Sequence, residues 1–112
     1  MRQAGVLAAA GLYALENMVE RLAEDHAHAR RLAAGLAGWG YCDPALVETN
    51  IVFADFAGSG MPAAEWAKRV GGHGIVCRAN SATRMRRVLH ADVSGQDVDA
   101  ALSAFAAVRR SL

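Results

Sequence analysis

The 112 residues include a single lysine, Lys68, with two prolines, two cysteines and seven aromatic side chains, and each scarcity removes a class of explanation. Cys42 and Cys77 stand apart and form no CxxC pair, so neither a disulfide framework nor a thiolate metal site is expected. The formal net charge is only +1, which gives no overall attraction to nucleic acid or to an anionic membrane. No apolar run has the length and purity of a bilayer span. The opening Met1 to Ala10 stretch looks like a basic start followed by an apolar run, but its helical pattern continues through Leu15, Met18 and Leu22 without a convincing cleavage site. A cytoplasmic location is the expectation, with neither a membrane nor a nucleic acid as partner. The 54% hydrophobic and 21% charged composition suits one compact unit with a modest core.

What is present is periodicity. Leu15, Met18, Leu22, Ala29, Ala33 and Leu36 recur at helical steps, with Glu20, Arg21, Glu24, Arg30 and Arg31 between them. The alanine-rich run from Gln3 to Ala14 also favours helix, so the spacing predicts two helices, or one helix bent near Asn17. Gly35, Gly38 and Gly40 are read as a stop and turn, and residues 47–56 as a strand covered on both faces. Pro62 opens a short helix bearing Ala63, Trp66, Ala67 and Val70, which Gly71 and Gly72 end. Two short strands are expected at 74–77 and 86–90. A last helix is capped by Ser94 with Asp97 three residues on, its buried stripe being Val98, Ala101, Leu102, Phe105 and Val108.

The order αα-β-α-β-β-α places the chain in the α/β class, as a small α+β domain. A helical N-terminal segment, 1–37, precedes a small domain, 38–112, whose mainly antiparallel sheet is backed by helices. The first helix is too apolar for a surface arm, and it is expected to pack on something outside this chain.

Candidate chemistry is thin. His26, His28, His73 and His90 lack a metal-ligand spacing, and His26 on the apolar stripe is read as a packed core histidine. The glycines make no dinucleotide or phosphate fingerprint. Arg78, Arg84, Arg86 and Arg87 form the one suggestive cluster, because guanidinium forks grip carboxylates and phosphates. Alternation puts Arg86, Val88 and His90 on one face of a strand and Arg87 and Leu89 on the other. Pattern alone leaves two readings open: an anion grip in a cleft, or solvated charges on an edge strand.

Four stretches in order carry a family resemblance: residues 1–11 (MRQAGVLAAAG), 21–26 (RLAEDH), 48–53 (ETNIVF) and 86–94 (RRVLHADVS). Together they resemble the low-specificity threonine aldolases over nearly the whole chain, and they correspond to the C-terminal part. The resemblance implies a fold-type-I, pyridoxal-phosphate-dependent lyase that splits threonine or allo-threonine into glycine and acetaldehyde, as a homo-oligomer with shared active sites. It assigns the substrate carboxylate to Arg86, two residues before the valine of the R-x-V-x-H stretch. It places Arg2 near the cofactor phosphate. Leu89 departs from the family's usual threonine and leaves the local polar packing open without touching Arg86.

The same resemblance implies that the Schiff-base lysine, the aspartate at the pyridine nitrogen and the histidine stacked on the ring lie upstream of this stretch. Lys68 lies on the polar side of the short helix and is expected to face solvent. The chain therefore carries no catalytic residue and no metal ligand of its own. It is expected to be an excised or truncated C-terminal domain, inactive alone. The alternative is a stand-alone module that binds an anionic metabolite through its arginines.

Overall fold

The computed structural model describes residues 3–112 and contains four helices and a two-stranded antiparallel sheet, a small α/β domain. Helix α1 spans Ala4–Asn17 and α2 spans Leu22–Ala37, with the bend at 18–21 where the spacing places it. A 3-10 turn at Pro44–Leu46 leads into β1, Ile51–Asp55; α3 (Ala63–Gly71), β2 (Arg84–Val88) and α4 (Gly95–Arg110) follow. The overall extents are 51 × 28 × 24 Å.

Strands β1 and β2 pair in the register Ile51↔Val88, Val52↔Arg87, Phe53↔Arg86, Ala54↔Met85 and Asp55↔Arg84. Side chains alternate across a strand, so one face of the sheet carries Val52, Ala54, Met85 and Arg87 and the other Ile51, Phe53, Asp55, Arg84, Arg86 and Val88. The first face meets the helices: Val52, Ala54 and Met85 are buried. The second is open, with Phe53 and Val88 exposed. Strand β1 is therefore covered on one face and not on two, because no helix crosses its outer side.

Four aromatic rings fill the space between this inner face and the helices. Phe56 stacks on Trp66 at 4.5 Å between centroids, Tyr41 meets the Trp66 edge at 5.3 Å, and Phe105 reaches Phe56 at 6.0 Å. Trp66 is fully buried, and its indole N–H donates to the Ser59 hydroxyl at 2.9 Å, so the ring gains burial without orphaning its donor.

Two expectations are corrected here. Residues 74–77 form no strand: backbone N–H groups of His73 and Gly74 bond back to Val70 and Gly71, and Gly74 takes a φ of +86°, so the chain leaves α3 through a turn. Only a single bridge, Ala79↔Met85, joins the following segment to β2. Gly35 is no stop. It lies inside α2, where a β-carbon would collide with the Leu102 side chain, so its lack of one lets α2 and α4 approach closely. Gly38 caps the helix, and Gly40 turns the chain at φ +80°.

The last helix opens as its sequence predicts. Asp97 N–H donates to the Ser94 hydroxyl at 3.1 Å, and Ser94 N–H donates to the Asp97 carboxylate at 2.8 Å. That backbone donation holds the Asp97 carboxyl below its ordinary range. Asp25, at the start of α2, is the one buried charged residue among those described; Arg21 binds it bidentately at 2.8 and 3.1 Å. The Arg21 hydrogen bonds outweigh the opposing effect of burial and keep the Asp25 carboxyl low.

Candidate functional site

The outer face of the two-stranded sheet is where the charged side chains gather. Arg84, Arg86 and Val88 stand there by alternation along β2, facing Asp55, Phe53 and Ile51 in register across β1. Arg84 lays its guanidinium over the Phe53 ring, 5.5 Å from the centroid. Asp55 accepts the Ala57 N–H at 2.9 Å, which fixes its carboxylate at the strand end. Arg86 is exposed, with Phe53 opposite it and Arg84 and Val88 on either side along the strand, and among the described residues it makes no ion pair. The bridge at Ala79 runs antiparallel to β2, so Arg78, also exposed, falls alongside Arg86.

A cleft of about 360 Å3 adjoins this face. The loop at 40–47 forms one wall; Ile51, Phe53, Asp55 and Arg84 form the other. Arg84 lines it, whereas Arg86 stands beside it. Cys42 is half-buried in the loop wall, and burial reinforced by the neighbouring Asp43 carboxylate pushes its thiol up, toward the unreactive protonated form.

The arginine cluster thus divides. Arg78, Arg84 and Arg86 share the open side, while Arg87 turns inward, where its guanidinium lies 5.8 Å from the Phe105 ring centroid. Lys68 is exposed on α3, away from this face. Arg2 lies outside the described residues. The histidines do not converge: His26 and His28 are half-buried on α2, and His73 and His90 are exposed. His26 is therefore not enclosed as its apolar stripe implies, since Asp25 takes the buried position beside it. Phe53 and Asp55 are the neighbours that the sequence reading missed. Their signal was Asp55 itself, a charge two residues after Phe53 and hence on the same side, inconsistent with a strand covered on both faces.

Comparison with known proteins now adds a family. Residues 1–59 match the model of the beta-eliminating lyase family. Low-specificity L-threonine aldolase 1 of Arabidopsis thaliana is 38% identical over 108 residues, covering 94% of this chain and 30% of that protein. The probable low-specificity L-threonine aldolase 2 of the same plant is 41% identical over the same length and share. Low specificity L-threonine aldolase of Escherichia coli K12 is 37% identical over 98 residues, 88% of this chain and 28% of the relative. The chain spans about 30% of the length of the plant proteins it matches.

Proposed function

Because the chain belongs to the beta-eliminating lyase family and corresponds to a C-terminal part of it, we propose that it is the substrate-carboxylate module of a threonine aldolase. The whole enzyme would cleave threonine or allo-threonine to glycine and acetaldehyde with pyridoxal phosphate. The observation that carries this reading is Arg86: an exposed guanidinium, held outward by strand register, with no ion-pair partner among the described residues.

A planar fork of donors matches the two oxygens of an α-carboxylate, and the match fixes orientation as well as position. Phe53 and Val88 beside it are apolar and offer the guanidinium no competing acceptor. Holding the carboxylate here would present the α- and β-carbons of the amino acid in one direction. That is how a binding residue raises the rate of a bond cleavage it does not itself perform.

The described residues do not fit the cofactor. Covalent attachment needs a lysine amine in an enclosed site, and Lys68 is exposed on α3. No step through the cofactor is assigned to this chain; attachment and proton transfer belong to parts of the enzyme outside it. In the same reading, the uncovered α1 packs against those parts or against a second subunit of a homo-oligomer.

The test is Arg86→Lys in a complete enzyme carrying this segment. Charge is retained and the two-pronged grip is lost, so kcat/KM for threonine should fall by about 10- to 100-fold while the unfolding midpoint holds. An unchanged kcat/KM would return Arg86 to the role of a solvated edge charge. The 112-residue chain alone, mixed with pyridoxal phosphate and threonine, should release no acetaldehyde.

A further inference from the structure

The inner face of β2 holds a cation that pairs with no acid among the described residues. Arg87 sits opposite Val52 in the sheet, between the buried Met85 and Leu89. One terminal nitrogen donates to the Met85 thioether, a weak acceptor. Its Nε is buried and has no hydrogen-bond partner, and among the described residues Arg87 makes no ion pair. A donor left in this state is unusual in a folded protein and calls for a partner.

The same arginine lines a cavity of about 240 Å3 enclosed by α2, β2, α4 and the turn after α3. Leu32, Ile75, Leu89, Val98 and Ala101 supply apolar walls. The acid at its margin, Asp97, is already engaged by Ser94 in the helix cap. Val76, 93% exposed, stands at the rim, so the cavity opens to solvent beside an apolar side chain.

These walls specify a ligand. The volume equals that of about eight waters, below the usual range for drug-sized ligands. An arginine on the wall of an otherwise largely apolar cavity favours one carboxylate, and branched aliphatic walls favour a short branched tail. An amino acid fits worse, because its ammonium would meet Leu, Ile and Val walls, with only the helix-capping carboxylate of Asp97 at the margin to accept from it. We propose that this cavity is a binding site for a small aliphatic monocarboxylate, its oxygens on Arg87 and its tail against Leu32 and Val98. The site is built around Arg87, which points to the face of the sheet opposite Arg86, and it does not depend on the function proposed above.

The experiment titrates the isotope-labelled 112-residue chain with 3-methylbutanoate and, separately, with its uncharged amide, following backbone amide resonances by NMR. Saturable shifts at Leu89, Val93 and Val98 are expected in the millimolar range, with the amide at least about tenfold weaker. Arg87→Met keeps the apolar stem and should abolish saturation. The idea is sunk if acid and amide bind alike, if the acid saturates the Met variant equally well, or if shifts drift linearly to about 50 mM. Should the Met variant not fold, the acid-to-amide ratio on the unaltered chain decides the matter.

Discussion

Helices α1 and α2 are neighbours of similar length, both rich in alanine, and they are stabilised by different physics. Helix α2 buries Asp25, Ala29, Leu32, Ala33 and Leu36 against β1 and α4, and has Glu24 and Asp25 in its first turn. Helix α1 buries nothing, has no side-chain cap, and leaves Val6, Leu7, Leu12, Tyr13 and Leu15 exposed, Leu15 at 72%. Its 14 residues are near the ~12–15 at which an isolated alanine-rich helix is marginal in water. One helix rests on tertiary packing and the other on intrinsic propensity. Moreover, α1 is apolar around most of its circumference, a pattern that belongs to buried helices. This is the physical ground for expecting a cover over α1, and it agrees with the reading of the chain as part of a larger lyase.

Three measurements would break or sharpen that contrast. The largest effect should come from Trp66→Ala, which removes the ring shared by Tyr41, Phe56 and Phe105 and so withdraws the surface that α3 presents to α4 and the aromatic cluster. A loss of about 3–5 kcal/mol in urea unfolding is expected; a loss under about 1 kcal/mol would mean the body is held by something other than this cluster.

Asp25→Asn comes next, with about 1–2 kcal/mol expected, because the pair is open to solvent on one side only: the Arg21 side chain keeps 22% exposure and that of Asp25 3%. Its pH signature is more telling. Asp25 and Asp97 both titrate below their ordinary values in the folded chain, so the unfolded chain binds protons first as the solution is acidified. Their contribution is complete above about pH 4 and is lost as pH falls through the lower folded-state values. Urea midpoints at neutral pH and near pH 3 should differ for the unaltered chain and differ less for Asp25→Asn. An identical acid dependence in both would remove Asp25 from the account.

The smallest effect is expected in α1. Leu12→Ala and Leu15→Ala should each change the stability of the isolated chain by no more than about 0.5 kcal/mol, since neither side chain is covered. A loss beyond about 1.5 kcal/mol for either would show that α1 is packed in solution, by self-association or otherwise.

The sequence makes some of this legible for identifiable reasons. Helical period and the Ser94–Asp97 pair announce α2 and α4, because caps and amphipathic stripes are local signals. That Arg86 and Arg87 point to opposite faces of β2 follows from alternation; which of them turns inward does not. What alternation cannot convey is which elements cover which face: residues 51–54 are all apolar, yet only Val52 and Ala54 are buried. Likewise Gly35 looks like a helix end until Leu102, 67 residues further along, is seen lying against it. The apparent strand at 74–77 has suitable residues but no neighbour in register, and strand propensity without a partner yields only an extended segment.

Strand β2 carries adjacent arginines with sharply different surroundings, and the distinction is one of parity. Shifting β2 by a single residue would send Arg86 into the aromatic core and bring Arg87 to solvent, inverting every side chain on the strand. The alignment is clamped at one end by Asn50, whose side-chain amide N–H donates to the Leu89 carbonyl at 2.8 Å while the Asn50 backbone carbonyl accepts the Leu89 N–H at 2.8 Å. One asparagine just ahead of β1 thus acts as an indexing pin for the strand opposite, determining which of two chemically identical cations meets the outside world.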